Sequence, residues 1–287
     1  MVNIDATFHQ ATSTVTYLVW DPTSLEAAII DPVLDYDQNT GTLTTQSIDK
    51  ILAKADQQKL FLKWTLETHP HADHLSAADY IKSKKPAKSG IGWNIGGVQK
   101  SFKNMFNADD VSTDGRAFDM LFADGDEIKL GDTIVRILHT PGHTLACVSY
   151  LIDDAVFVGD TVFMPDYGSA RTDFPGGDAA TLYRSVMRLY QLPEQTRVFV
   201  GHDYPPKDGR GPVWETTIAE QRAHNIHIND SVSETDFVAM RNARDATLSA
   251  PKLILPALQI NIRAGALPPK DTNGHHYLKI PVNLFPA

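Results

Sequence analysis

The chain has 287 residues, 42% of them hydrophobic, enough apolar material for one large domain or for one domain with an extension. A formal net charge of −9, with no run of Lys or Arg longer than a pair, excludes the basic surface that nucleic-acid binding needs. A lone cysteine, Cys147, excludes an intramolecular disulfide, no apolar stretch is long enough to span a bilayer, and Met1-Val2-Asn3-Ile4-Asp5 has neither a basic nor an apolar leader region, so a cytoplasmic protein with no membrane partner is expected.

Val15 to Trp20 and Ala27 to Ile30 read as two strands, each ended by an Asp-Pro turn (Asp21-Pro22 and Asp31-Pro32), that form a hairpin. Asp31 is most simply a turn residue; a hydrogen bond toward a nearby site is the other reading. Ile48, Ile51, Leu52 and Ala55 trace an amphipathic helix feeding the apolar run Leu60 to Leu66, which reads as a buried strand. Directly after it comes Thr68-His69-Pro70-His71-Ala72-Asp73-His74, with four candidate metal ligands within six residues. Pro70 lacks a backbone donor and disfavours helix for the residue before it, so His69 and His71 belong on a loop off the strand's carboxyl end. Leu75, Ala78 and Ile81 recur at helical spacing, so a helix is expected from about His74, with Asp73 and His74 in its first turn. An Asp cap with solvated histidines would be the plainer account. Three His and one Asp packed this closely favour ligands instead, since imidazole and carboxylate serve catalytic transition metals.

Residues 90–97 are spaced G-x-G-x-x-x-G, which misses the dinucleotide fingerprint. They read as a flexible loop before a short helix whose Phe102, Met105 and Phe106 either roof the site or simply pack. Turn signals over Phe122 to Ile128 and Leu130 to Thr133 open the second half of the fold. Three further apolar runs then end in ligands: Ile134 to Leu138 before His139-Thr140-Pro141-Gly142-His143, Ala155 to Gly159 before Asp160, and Arg197 to Gly201 before His202-Asp203-Tyr204. Ligand sites gather where loops leave the ends of several strands, so these runs describe one pocket. His139 precedes its turn and is assigned to packing. Residues 205–212 read as loop and Trp214 to His224 as helix. From about residue 225 to 287 an extension, rich in Pro, Asn and Gly after Pro251, is expected to wrap one domain covering the whole chain, with no chemical role assigned.

The pattern His69-x-His71-x-Asp73-His74, His143, Asp160 and His202 resembles the metallo-β-lactamase superfamily over about residues 15 to 205. The resemblance implies an α/β fold, an αβ/βα sandwich with the metal site at one edge of the two sheets. Glyoxalase II, a hydrolase of glutathione thioesters, has these ligands and continues from its bridging Asp into Gly-Cys-Gly. Here the same place reads Tyr167-Gly168-Ser169-Ala170-Arg171-Thr172-Asp173-Phe174. The Arg-Thr-Asp-Phe element, with Ala146-Cys147 and His202-Asp203-Tyr204, resembles the persulfide dioxygenases of sulfide detoxification, which oxidise glutathione persulfide with O₂ to sulfite and glutathione. Ser169-Ala170 and the long tail depart from the best-known members and bear on the thiol carrier.

That resemblance implies one Fe(II) on His69, His143 and Asp160, with His71, Asp73, His74 and His202 outside its coordination. Two neutral imidazoles and a carboxylate form a facial triad that leaves room for a sulfur and O₂ together. The alternative is a binuclear site in which all seven residues hold two Zn(II) and activate water against a thioester. The ligand types fit both; the flanking motifs favour iron. A non-catalytic relative would be expected to lack a ligand, and none is missing. Arg171 and Asp173 read as an ion pair beneath the site or as substrate contacts, Tyr204 as a hydrogen-bond donor at the metal's open side or as packing, and Asp203 as orienting a ligand. Cys147 has no base-orienting partners in the sequence and is not read as a nucleophile. Arg222 resembles a basic residue that meets the glutathione moiety and would clamp a carboxylate, unless it pairs with a neighbouring acid on the surface. Self-association as a homodimer stays open.

Overall fold

The computed structural model describes residues 1–205 and 209–283. Part of the loop expected at 205–212 and the last residues of the extension, 284–287, lie outside the described residues. The first sheet runs in the order β1 (Asn3–His9), β2 (Thr14–Trp20), β3 (Glu26–Ile30), β6 (Phe61–Leu66), β8 (Lys88–Gly92), β9 (Met120–Phe122). The second runs β10 (Glu127–Leu130), β11 (Thr133–His139), β12 (Val148–Ile152), β13 (Ala155–Gly159), β14 (Arg197–Val200), β15 (Glu215–Thr217). Their inner faces meet through Tyr17, Val19, Ile30, Val135, Ile137, Tyr150, Phe157 and Phe199. Helices α1 (Gln46–Gln57) and α2 (Ala78–Lys84) cover the outer face of the first sheet, and α4 (Ala179–Leu189), α5 (Ile218–His224) and α6 (Glu234–Asp245) that of the second. This is the expected αβ/βα sandwich. The inner strands read as unbroken apolar runs because both of their faces are covered, one by helices and one by the facing sheet. No helix among the described residues is long and apolar enough to cross a membrane.

The expected hairpin is present, with Tyr17 opposite Ile30 and Trp20 opposite Ala27. The α1 stripe of Ile48, Ile51, Leu52 and Ala55 is buried as its period requires. Asn-Ile-Asp-Ala-Thr-Phe-His, to which no element is assigned from the sequence, alternates polar and apolar residues strictly and forms the edge strand β1, with Ile4, Ala6 and Phe8 facing the core.

Four expectations need correction. Residues 88–92 form strand β8, parallel to β6 and β9, rather than part of a flexible loop. Their glycines reflect close packing: a side chain at Gly90 would collide with the Phe122 ring. The helix α3 (Ile95–Phe106) that follows buries Phe102 and Phe106 beside Ala72 and Leu258, behind the metal loop, so packing is their role. The helix after the metal loop starts at Ala78, since Leu75–Ser76 forms a short strand, β7, paired with β4 (Val33–Asp37); Asp73 and His74 therefore lie in the loop. Residues 215–217 are strand before α5 begins at Ile218, where Thr217 caps the helix by accepting from the Glu220 N–H. The third sheet, β5 (Thr42–Thr44)–β4–β7, lies beside the site. The extension, expected only as a wrapping tail, contains α6 on the second sheet's helical layer and α7 (Ile254–Asn261) against β7.

Candidate metal centre

Loops after β6, β11, β13 and β14 bring all seven sequence-predicted ligands to the sandwich edge where the sheets meet. The seam is closed by the backbone: Val15 N–H donates to Gly201 C=O, and Thr14 bridges His202. Gly159, at φ +50°, ends β13 against Thr68; a side chain there would collide with Thr68, so a glycine is required for Asp160 to reach the loop after β6.

His69 Nδ1 lies 3.0 Å from the Thr68 hydroxyl, which donates to Asp31 at 2.8 Å and accepts from the imidazole. His143 Nδ1 donates to the Arg171 carbonyl at 2.7 Å. Each ring is thus held with its proton on Nδ1 and its Nε2 lone pair turned toward Asp160 Oδ2, 3.9 Å from His69 and 3.8 Å from His143. These ligand atoms lie within 4.8 Å of one another, and His69 Nε2 and Asp160 Oδ1 are buried without a hydrogen-bond partner. Buried polar atoms rarely go unpartnered, so this donor set fits one metal ion.

The remaining ligands form a second group of His71, Asp73, His74 and His202. His202 Nε2 lies 3.3 Å from Asp73 Oδ2 and 3.4 Å from Asp160 Oδ1, while its Nδ1 lies 3.2 Å from the Ser13 carbonyl. His71 Nε2 is lodged between Asp31 Oδ1 at 3.0 Å and Glu67 Oε2 at 3.3 Å, leaving its Nδ1 without a partner. His74 Nε2 and His202 Nε2 are likewise unpartnered, so the residues of this group also fit an ion.

Electrostatics separate the histidines. Burial, reinforced by His71 and His143, holds His69 well below its ordinary value, which keeps it a neutral ligand. Burial and His71 lower His74 to about 4. Burial would also lower His71, but Asp31 and Glu67 outweigh it and hold that imidazole well above the ordinary range. Burial raises Asp160 against the pull of His202 and His143.

Asp31 is therefore more than a turn residue: besides a left-handed φ of +50°, it accepts from Thr68 N–H at 2.7 Å and from the Thr68 hydroxyl and binds His71. Glu67, missed in the sequence, shares that role and accepts a hydrogen bond from Ser76. Among the described residues Asp203 touches no ligand side chain, against the expectation that it orients one; it is buried in a pair with Arg210, at 2.6 and 2.9 Å, and accepts from Val213 N–H at 2.8 Å. Tyr204 stacks on His202, 5.7 Å between ring centres, and on Tyr167 at 4.8 Å. Arg171 and Asp173 form a bidentate pair, both contacts 2.6 Å, and Arg171 also donates to the Ser249 carbonyl at 2.7 Å. Cys147 is buried, its thiol pushed up to about 12 by burial, consistent with no nucleophilic part.

A cavity of about 950 Å³ opens over Asp73, His74, His143 and Asp160, walled by Tyr167, Tyr204, Arg171 and Phe174 and by the segment after α6. Arg222 is not on it. Its guanidinium forks onto Asp230 at 2.9 Å and reaches Glu194 at 3.7 Å, so the expected contact with glutathione is corrected to a surface ion pair. The cations on the cavity wall that pair with no carboxylate among the described residues are Arg244 and Lys252. They carry no local motif, and only the folding of the extension brings them there.

Residues 10–202 match the Metallo-beta-lactamase superfamily, and the chain belongs to it. It is 49% identical over 97% of its length to a beta-lactamase hydrolase-like protein of Xylella fastidiosa (strain Temecula1 / ATCC 700964), but spans only 64% of that relative's length. It is 51% identical to Glyoxylase B2 of Dictyostelium discoideum, covering 93% of this chain and 92% of that one. More distantly, it is 29% identical to the mitochondrial persulfide dioxygenase ETHE1 of Homo sapiens, over 91% of this chain and 88% of the relative. The crystal structure of ETHE1 from Myxococcus xanthus matches with a TM-score of 0.73 and 31% identity, covering 92% of this chain and all of that one.

Proposed function

We propose that the chain is an iron-dependent persulfide dioxygenase that oxidises glutathione persulfide with O₂ and water to sulfite and glutathione. The observation that carries this reading is the trio His69, His143 and Asp160, of which His143 and Asp160 line the cavity and His69 is buried beside them, with His143 held by the carbonyl of Arg171 in the Arg-Thr-Asp-Phe element. The likeness to ETHE1 proteins supports it. Iron, when bound, supplies the redox chemistry and open positions for sulfur and O₂. The chain's part is to bind and orient. The Arg171–Asp173 fork fixes the segment that aims His143. Tyr167 and Tyr204 wall the cavity beside the ligands, where the phenol of Tyr204, which has no hydrogen-bond partner among the described residues, would donate to substrate. Arg244 and Lys252 receive the two carboxylates of the tripeptide carrier, placing its sulfur over the floor. In the balanced reaction, the terminal sulfur gives four electrons to O₂, water supplies the third sulfite oxygen, and the carrier leaves as a thiol.

One observation favours a second reading. The unpartnered His71 Nδ1, His74 Nε2 and His202 Nε2 would complete a binuclear zinc site hydrolysing glutathione thioesters, and the likeness to Glyoxylase B2 goes with it. Metal analysis paired with oxygen-uptake measurement separates the two. About one iron per chain with persulfide-driven uptake is expected; about two zinc per chain with thioester cleavage and no uptake would establish the hydrolase.

A further inference from the structure

The loop that carries His69, His71, Asp73 and His74 is not held by its own neighbours alone. Asn261, the last residue of α7 and nearly 190 positions further along the chain, is 3% exposed beneath it. Its Nδ2 donates to the His71 carbonyl and to the His74 carbonyl, both at 2.8 Å, and its Oδ1 accepts from Ser76 N–H at 2.8 Å. One side-chain amide has two donor hydrogens and a carbonyl, and here all are used. The loop has no helix or strand ladder to take those buried carbonyls, so a double donor from elsewhere meets a need that the loop creates. An aspartate offers only acceptors to the two carbonyls, and a serine only one donor.

The position is held from behind. Ala257 and Ile260 pack on Leu75, Gln99 Nε2 donates to the Ile262 carbonyl at 2.9 Å, and Gln259 exchanges hydrogen bonds with the backbone of Lys279, each 2.8 Å. Fixing the carbonyls of residues 71 and 74 fixes the path of the whole loop from β6 to β7, and with it the directions of His69, which belongs to the trio with His143 and Asp160, as well as of His71, Asp73 and His74. We infer that Asn261 is a positioning residue of the metal centre, which makes α7 of the C-terminal extension part of the metal-binding apparatus. This holds whichever metal and reaction the site serves, so its test uses no substrate.

Chelator competition with Fe(II) and, separately, Zn(II) on the full chain reads metal affinity directly. Asn261→Asp keeps the acceptor for Ser76 and loses both donors; Asn261→Ser is a milder second variant should the first fail to fold. Either is expected to weaken metal binding about 10- to 100-fold, the range typical of partners that orient ligands. Ile51→Ala, which opens a cavity under α1 and touches neither α7 nor the loop, should lower the melting temperature of the metal-free chain but leave affinity within about two-fold. Unchanged affinity in a folded Asn261 variant, or an equal loss in Ile51→Ala, would overturn the inference and reduce Asn261 to general stability.

Discussion

At the scale of single residues, the site divides by what each imidazole's other nitrogen does. His69 and His143 give Nδ1 to a hydroxyl and a carbonyl, and both turn Nε2 toward Asp160. His71 instead gives Nε2 to Asp31 and Glu67. On the iron reading, His69→Ala, His143→Ala and Asp160→Ala should each remove nearly all bound iron, whereas His71→Asn should leave most of it; elemental analysis checks this, and equal loss in all four would count against a three-ligand centre. Lys252→Ala and Arg244→Ala should each raise KM for glutathione persulfide several-fold with kcat nearly unchanged, while Arg222→Ala should leave both constants alone. Steady-state kinetics read this, and a KM effect confined to Arg222 would restore the sequence-based assignment. The ligands were legible because each follows an apolar strand within a few residues. Glu67 and the place of Lys252 on the cavity wall were not, and Asp31 was legible only as the alternative to a turn residue, because each depends on a partner or a cavity formed by segments distant in sequence.

At the scale of elements, α6 ties the Arg-Thr-Asp-Phe segment to the sandwich. Arg241 and Asp245, 2.6 Å apart and nearly fully buried, form an i,i+4 pair; Arg241 donates to the Ser169 carbonyl at 3.1 Å, and Asp245 accepts from Thr172 N–H at 2.8 Å. Asp245→Ala would strand a buried guanidinium and should cost roughly 3–5 kcal/mol, measurable by denaturant titration. A loss below about 1 kcal/mol would mean that the pair is solvated. His227 sits beside this helix and accepts from Ser169 N–H at 3.0 Å. Burial, then Arg241 and Arg244, lowers its pKa from 6.5 to about 4. Between those values the unfolded chain binds a proton that the folded chain refuses, so this contribution is fully present above about pH 6.5 and is lost as pH falls toward 4. His227→Gln should flatten the acid side of a melting-temperature profile between about pH 4.5 and 6.5; an unchanged slope would show that other groups set it. Helical periodicity revealed α1, but not α6, where an arginine and an aspartate take core positions that a hydrophobic pattern would not mark.

At the scale of the molecule, the two sheets meet along an edge where four strand ends deliver ligands, and the extension closes one wall of the cavity above them. The sandwich and its site edge were readable because short ligand motifs recur after buried strands. The extension's contribution was not, since a contact such as Asn261 with His71 joins segments that share no pattern. The beta-lactamase hydrolase-like relative is longer than this chain, which covers 64% of it, so the reaction is best tested on the chain as it stands. The most direct measurement is simultaneous recording of oxygen consumption and sulfite release with glutathione persulfide. A persulfide dioxygenase releases one sulfite for each O₂ consumed, does neither with glutathione alone, and loses both in His143→Ala; cleavage of a glutathione thioester with no oxygen uptake from the persulfide would contradict the proposed reaction.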